Sequence, residues 1–151
     1  MQLAIGPLHA EDRAAWELLA RGYKEFYATP ATDEEYTAAW NRLLAQDGVY
    51  ALGAFIAERR LIGIAHYLFH TSVWAQTTCY LQDLFTQRSA RGHGAARMLI
   101  EAVAAEARRH GAARYYWLTQ ENNVVARGLY DKVAKHAGFI RYDYPLRAPG
   151  T

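Results

Sequence analysis

The sequence of 151 residues contains a single cysteine, Cys79, which excludes an intrachain disulfide and a cysteine-based zinc site. Such sparing use of cysteine fits a reducing compartment and predicts a cytoplasmic protein. No N-terminal stretch has the pattern of a signal peptide. No apolar run approaches the ~18 residues that a membrane span requires, so we expect no membrane association.

Lysine is also scarce: only three of the 17 basic residues are lysines, and the formal net charge is +2. Basic tails and runs are missing, so we expect no nucleic-acid partner. Apolar residues make up 52% of the chain and aromatic residues 13%, which is sufficient for an ordinary core. Internal repeats, linkers and low-complexity tracts are missing, so residues 1–151 are predicted to form one domain.

The hydrophobic pattern predicts the element order β-α-α-β-β-β-α-β-α-β. Strands are expected at residues 2–6, 49–57, 61–70, 77–86, 113–119 and 139–144, and helices at 9–27, 32–46, 93–110 and 122–137. Thr32 and Glu35 fit a capping box, and Gly111 and Gly138 are expected to end the last two helices. The order implies an α/β fold with a mixed sheet and helices on its faces.

The stretch RGHGAAR, residues 91–97, joins a predicted strand to a predicted helix. Gly92 and Gly94 carry no Cβ, so a ligand can approach the backbone closely there. A helix N-terminus offers unpaired N–H donors and the positive end of the helix dipole, which favour an anion such as a phosphate. The lysine of a P-loop and the third glycine of a dinucleotide-binding fingerprint are both missing. By itself the pattern leaves a phosphate site and a plain tight turn open.

A second pattern stands in NNVVARGLYDKVAKHAGF, residues 122–139. Apolar residues recur there at helical spacing, and Tyr130 is expected where the helix meets the sheet. A buried phenol needs a hydrogen-bonding partner, so Tyr130 is either an ordinary core tyrosine or a functional hydroxyl.

Together the two patterns resemble the GCN5-related N-acetyltransferases. The acetyl-CoA signature of that family, R/Q-x-x-G-x-G/A on a strand-to-helix turn, is matched by residues 91–96. Its N-x-x-A-x-x-x-Y helix is matched by Asn123, Ala126 and Tyr130. The resemblance extends from about Val49 onward, and the segments YLQDLFT and YYWLTQENN are most similar to the yeast HPA-type branch and to diamine acetyltransferases.

The resemblance implies that acetyl-CoA lies between two splayed central parallel strands. Backbone groups at the end of the first of these strands would bind the pantetheine arm and the thioester carbonyl. Amides of the glycine turn would bind the pyrophosphate, and the start of the later helix would bind the pantetheine chain. The cofactor-binding residues implied in this way are Leu84, Phe85, Thr86, Arg91, Gly92, His93, Gly94, Ala95, Ala96, Arg97, Asn123 and Ala126.

The resemblance also implies direct attack of an amine on the thioester, with Tyr130 as the general acid that protonates the leaving CoA thiolate. The base stays open, because Gln82 stands where spermidine-type relatives carry a glutamate and an amide cannot take a proton. Asp83 is a candidate for binding the substrate amine or for activating water, with a salt bridge or a cap as the alternative. Tyr27 and Gln82 are further candidates for contact with the acceptor.

These features predict an acetyl-CoA-dependent N-acetyltransferase that acts on a primary amine of a small molecule, such as a polyamine or an amino acid. A protein or histone-type lysine acetyltransferase, a different acyl donor and a catalytically inactive acetyl-CoA sensor stay open as alternatives. His66 and His70 face the same side of a strand, but without a third ligand no metal site is expected. Relatives in this branch imply a homodimer.

Overall fold

The computed structural model describes residues 2–147, and the chain forms two compact units. The first unit ends at Leu118 and the second begins at Thr119. The strands of the first unit are β1 (Ala4–Gly6), β2 (Tyr50–Ile56), β3 (Arg60–His70), β4 (Thr78–Thr86) and β5 (Arg114–Trp117). Its helices are α1 (Arg13–Phe26), α2 (Asp33–Ala45) and α3 (Ala95–Arg109), and the second unit contains α4 (Val124–Val133).

The strands form one mixed sheet in the order β1-β2-β3-β4-β5. The first four strands pair antiparallel with their neighbours, whereas β4 and β5 pair parallel. A parallel pair needs a long crossover connection, and α3 supplies it. The predicted α/β architecture with a mixed sheet is therefore confirmed.

Helices cover both faces of this sheet. On one face, buried side chains of α1 and α2 pack against Phe55, Leu61 and Ile64. On the other face α3 comes so close that a Cβ added to Gly63 would lie 3.3 Å from Cδ1 of Leu99. Consecutive residues of a strand point to opposite faces, which explains why Gly63 meets α3 and Ile64 meets the other helices.

Two local signals begin and end helices as the sequence predicts. The Thr32 side chain accepts a hydrogen bond from the Glu35 amide, and the Glu35 side chain accepts one from the Thr32 amide, which completes the capping box of α2. Beyond the end of α3, Gly111 has a φ of +72°, the left-handed conformation that glycine adopts without strain. Both signals depend only on residues within about one helical turn, so they can be recognised in the sequence.

The predicted last strand, residues 139–144, is wrong, because this segment is not a strand in the structure. Its alternation of aromatic and charged residues satisfies the local pattern, but a strand also needs a neighbour for its backbone hydrogen bonds. The side chains of Phe139 and Tyr142 are instead 86% and 87% exposed. The element order ends at α4. The predicted end of this helix at residue 137, with Gly138 after it, is also wrong, because Ala134 is already extended, with φ of −148° and ψ of −176°, and the last helical residue is Val133.

Asp12 anchors the start of α1 to the β2–β3 hairpin. Its carboxylate is 6% exposed and accepts hydrogen bonds from Arg59 Nη2 at 2.7 Å and from the His9 amide at 2.6 Å. We expect Asp12→Ala to lower the free energy of unfolding by about 2 kcal/mol, because the variant leaves both donors without their buried acceptor. Urea denaturation measures this change.

Glu11→Ala is the matched control for Asp12→Ala. Glu11 lies 3.8 Å from the same guanidinium, but its side chain is 73% exposed. An exposed ion pair of this kind contributes about 0.5 kcal/mol. Equal losses in the two variants would contradict the anchoring role of the buried carboxylate.

Candidate active site

A bulge in β4 marks the centre of the candidate site. His66 of β3 pairs with Asp83, and Tyr67 pairs with Leu81, so Gln82 is an extra residue in β4. The parallel ladder between β4 and β5 ends at the same place, with the pair Leu81 and Trp117. A bulge bends its strand and increases the local twist, and the pairing of the parallel strands ends at this position.

Beyond the bulge, β4 is paired on one side only. Leu84, Phe85 and Thr86 pair with β3, whereas the ladder to β5 has already ended. The ladder to β5 therefore does not use the backbone groups on that side of the stretch, and the Thr86 carbonyl instead accepts a hydrogen bond from Arg91 Nε. These are the strand residues that the sequence analysis assigned to cofactor binding.

The glycine turn follows β4 and begins α3. Gly92 and Gly94 have φ of +86° and +84°, and a Cβ added at either position would meet no atom within 4 Å. Glycine is needed here for its backbone conformation and not for lack of space. The first helical bond runs from the Met98 amide to the Gly94 carbonyl, so α3 itself uses none of the amides of residues 95–97.

The two arginines beside the turn are held differently. Arg91 Nε donates a hydrogen bond to the Thr86 carbonyl at 3.1 Å, which ties the turn to the end of β4. Arg97 Nε donates to Glu101 Oε1 at 3.1 Å on the exposed surface of α3. His93, between the two glycines, is exposed. Arg91 is thus built into the junction of β4 and the turn, whereas Arg97 belongs to an ion pair of the helix surface.

Asp83 interacts with residues of two other elements. Its Oδ2 lies 2.8 Å from Nδ1 of His66 of β3, and Tyr23 of α1 lies close enough to affect the pKa of the carboxylate. Burial alone would raise the pKa of Asp83, but the interactions with His66 and Tyr23 outweigh it and lower the pKa. Burial and the neighbouring carboxylate raise the pKa of Tyr23, so its hydroxyl stays protonated and donates. Asp83 is therefore an ionised carboxylate at the strand opening, the place just beyond Leu81 and Trp117 where the pairing of β4 with β5 ends.

Tyr23 of α1 is the aromatic residue that interacts with this carboxylate. The Tyr23 ring lies 4.9 Å from the Tyr27 ring and 6.5 Å from the Phe85 ring. Gly22 permits this approach of α1 to β4, since a Cβ there would lie 3.0 Å from the Phe85 ring. The structure thus brings Tyr23 to Asp83 and places Tyr27 beside Tyr23, while Gln82 is exposed at the bulge.

The second unit carries the remaining motif residues on α4. Asn123 precedes the helix, and its side chain donates a hydrogen bond to Thr119 Oγ1 at 3.1 Å without capping the helix. Ala126 and Tyr130 are four residues apart, so they share one face of α4, and both are half-buried.

The contact between His66 and Asp83 was not predicted from the sequence. His66 and His70 were expected as a pair on one strand face, but the structure places them in different surroundings. His66 bonds Asp83, whereas His70 Nε2 lies 3.3 Å from the Tyr116 hydroxyl. No local signal identifies the partner of His66, because the register of β3 and β4 and the bulge between them decide it.

The family model of the acetyltransferase (GNAT) family matches residues 13–135 of the chain. The chain belongs to this family. The D-amino-acid N-acetyltransferase HPA3 of Saccharomyces cerevisiae is 31% identical over 145 residues, which are 93% of this chain and 89% of the yeast protein. The predicted membership in the GNAT family and in its HPA-type branch is confirmed, and this GNAT protein is an N-acetyltransferase.

Solved GNAT structures share the fold. AAC(6')-Iy in complex with the bisubstrate analogue CoA-S-monomethyl-acetylneamine has a TM-score of 0.85 at 18% identity, over 98% of this chain and 100% of that one. The ribosomal-protein-alanine N-acetyltransferase of Brucella melitensis biovar Abortus 2308 has a TM-score of 0.80 at 21% identity, over 96% and 100%. At these identities the similarity establishes the fold alone.

Two further properties concern residues 2–147. No three His, Cys, Asp or Glu side chains in this range are grouped so that they could hold a metal ion. None of the helices in the described chain combines the length and the apolar character needed to cross a membrane.

Proposed function

We propose that this N-acetyltransferase moves the acetyl group of acetyl-CoA to a primary amine of a small molecule. The observation that carries the proposal is the ionised Asp83 carboxylate at the strand opening. It lies beside Tyr23 of α1, whose ring contacts that of Phe85. A fixed carboxylate next to aromatic rings attracts the cationic form of an amine. The yeast relative is named for D-amino acids and AAC(6')-Iy for aminoglycosides, and both classes are small molecules with amino groups.

The first unit fits the acetyl-CoA moiety at two places. We assign backbone groups of Leu84, Phe85 and Thr86, which lie beyond the end of the β4–β5 ladder, to binding the pantetheine arm and the thioester carbonyl. The open space at Gly92 and Gly94 and the unused amides at the start of α3 suit the pyrophosphate. Arg91, fixed at this junction, adds a positive charge.

Gly94→Ala tests the assignment of the turn. We expect the variant to weaken acetyl-CoA binding about tenfold, because a residue with a Cβ disfavours the left-handed conformation by roughly 1–2 kcal/mol and shifts the amides that follow. The dissociation constant from isothermal titration calorimetry measures the effect.

Gly111→Ala is the matched control for Gly94→Ala. Gly111 also has a positive φ, +72°, with nothing within 4 Å of an added Cβ, but it lies at the opposite end of α3. Both variants carry the same backbone strain, so their stabilities should fall similarly while only Gly94→Ala loses acetyl-CoA affinity. Equal affinity losses would mean that the glycine turn is only a structural turn.

In the proposed reaction the neutral amine nitrogen attacks the thioester carbonyl carbon and the C–S bond breaks. Backbone amides stabilise the negative charge that develops on the carbonyl oxygen. Asp83 has a lowered pKa, which makes it a weak base and an anionic anchor. We therefore assign Asp83 to binding the ammonium form of the acceptor, and water takes the proton that the amine must lose before attack. After the attack the nitrogen loses a second proton, which passes through water and restores the hydroxyl that has protonated the CoA thiolate. Gln82 cannot take a proton.

Asn123, Ala126 and Tyr130 match the second family motif, and on that ground we assign them to catalysis and cofactor binding. The Asn123 amide would bind the pantetheine chain, and Ala126 keeps the same helix face small. Tyr130 would give its proton to the leaving CoA thiolate, acting as general acid. Its half-buried place on α4 supports this role.

A thiol-release assay tests the proposed function. Acetyl-CoA is offered with separate pools of polyamines, D-amino acids, L-amino acids, aminoglycosides and a lysine-rich peptide. Cys79 adds little background, because it is fully buried and burial raises the pKa of its thiol to about 11. We expect CoA release with at least one small-molecule pool. CoA release with the peptide alone would favour a protein acetyltransferase. No CoA release with any pool, together with tight acetyl-CoA binding, would favour an acetyl-CoA sensor.

We further propose a cytoplasmic homodimer. The large apolar side chains between Phe139 and Leu146 are more than three-quarters exposed in the chain, which supports their burial against a second copy. Light scattering should give twice the chain mass, and a monomer mass at micromolar concentration would contradict the dimer.

A further inference from the structure

Three side chains from three elements form a continuous chain of hydrogen bonds beside the strand opening. Trp16 Nε1 of α1 donates to His66 Nε2 of β3 at 2.9 Å, and His66 Nδ1 lies 2.8 Å from Asp83 Oδ2 of β4. Trp16 is 1% exposed, and the side chains of His66 and Asp83 are 13% and 21% exposed. The chain therefore runs from the core outward to the carboxylate.

The chemistry of the indole fixes the tautomer of His66. An indole N–H only donates, so Nε2 of His66 must be the unprotonated acceptor. The single proton of the neutral ring then resides on Nδ1, where it is donated to Asp83. A proton on Nε2 would leave the buried Trp16 N–H without its acceptor, at a cost of about 1–3 kcal/mol.

The fixed tautomer in turn fixes the carboxylate. Oδ2 of Asp83 is held by the His66 N–H at 2.8 Å. A carboxylate accepts at about four lone-pair positions, so this bond leaves capacity for an ammonium group. The bulge at Gln82 sets the pairing of His66 with Asp83, so the arrangement also depends on the strand register.

We propose that His66 is a positioning residue of the acceptor site, locked in its Nδ1–H tautomer by Trp16 so that Asp83 presents a fixed carboxylate to a cationic amine. This inference rests on the proposed function, which places the acceptor at Asp83. The acceptor class it names is an amine that is bound as its ammonium ion, with the Tyr23 ring beside the charge.

Two substitutions of His66 separate positioning from packing. An Asn side chain at this position offers an N–H near the place of Nδ1, and a Gln side chain offers an oxygen near the place of Nε2. We expect His66→Gln to raise the KM of the acceptor about tenfold, because Asp83 loses a charge-assisted hydrogen bond. His66→Asn should keep the acceptor KM near that of the wild type. The KM of acetyl-CoA should stay unchanged in both variants, which also reports on folding.

A pair of tryptophan substitutions tests whether the hydrogen bond from Trp16 to His66 is needed for acceptor binding. Trp16→Phe removes the indole donor and should raise the acceptor KM. Trp40→Phe is the matched control, because Trp40 is 3% exposed and its ring lies 5.2 Å from that of Trp16 in the same core cluster. Similar acceptor KM values in the two variants, or an acceptor KM that rises in His66→Asn and not in His66→Gln, would overturn the proposal.

A spectroscopic measurement is independent of turnover. Nitrogen NMR of the imidazole should show Nδ1 protonated and Nε2 unprotonated in the wild type at neutral pH, and a weaker preference for this tautomer in Trp16→Phe, in which only Asp83 still selects it. An Nε2–H tautomer in the wild type would overturn the inference whatever the activity. Failure of every amine pool to react, with the expected tautomer present, would instead contradict the proposed function.

Discussion

We expect Tyr130→Phe to lower kcat about 100-fold, the lower end of the range for loss of a general acid. The substitution removes only the hydroxyl that would protonate the CoA thiolate, while the ring keeps its half-buried place on α4. The KM of acetyl-CoA should not change, since the thiolate forms only as the C–S bond breaks. Steady-state thiol release under saturating acetyl-CoA measures the effect.

Tyr142→Phe is the control for this loss, because Tyr142 belongs to the same unit and is 87% exposed. It should keep the wild-type kcat. A wild-type kcat in Tyr130→Phe would contradict the general acid and return Tyr130 to the status of a packing residue. A loss of kcat accompanied by a large loss of thermal stability would do the same, because it would trace the effect to folding.

We expect Asp83→Asn to raise the KM of the acceptor about 100-fold and to leave the KM of acetyl-CoA unchanged. The variant is nearly isosteric but neutral, so it removes the charge that binds the ammonium group, an interaction worth roughly 2–5 kcal/mol when the pair is buried. Its kcat should fall much less, because the proposed mechanism gives Asp83 no proton to take. A large change in the acceptor KM with a small change in kcat would distinguish a binding role of Asp83 from a role as the base.

Asp47→Asn, in the exposed turn after α2, is the control for the removal of one carboxylate. A pH series adds a check on the charge state of Asp83. Because its folded pKa lies below its unfolded value near 4, the carboxylate stabilises the fold above that value, and this stability is lost as the pH falls through the folded pKa. The wild type should therefore lose more stability than Asp83→Asn on acidification below about pH 4. A kcat collapse in Asp83→Asn with an unchanged acceptor KM would instead make Asp83 the base.

The features that could be predicted from the sequence are those that depend on local chemistry. The 3.6-residue and two-residue periods gave the helices and the five strands of the sheet, and Thr32, Glu35 and Gly111 gave helix ends. The glycine turn could be located because Gly92 and Gly94 need a backbone conformation that other residues avoid.

The features that could not be predicted depend on contacts between distant segments. Trp16, His66 and Asp83 come from three elements, and only the sheet register and the bulge at Gln82 bring them into one hydrogen-bonded chain. The prediction of a strand at residues 139–144 was wrong for a related reason. An alternating pattern indicates a strand locally, but it does not show whether a neighbouring strand is there to pair with it. Both cases concern long-range pairing, which a pattern of single residues does not encode.

The most direct measurement follows the acetyl group itself. The enzyme is incubated with acetyl-CoA that carries an isotopically labelled acetyl group, together with the small-amine pools, and mass spectrometry searches for labelled amides. We expect one pool to yield a labelled N-acetyl amine in an amount equal to the CoA released, and to yield far less with Tyr130→Phe. Release of CoA without a labelled amide, or tight acetyl-CoA binding with no transfer to any small amine, would contradict a small-molecule N-acetyltransferase.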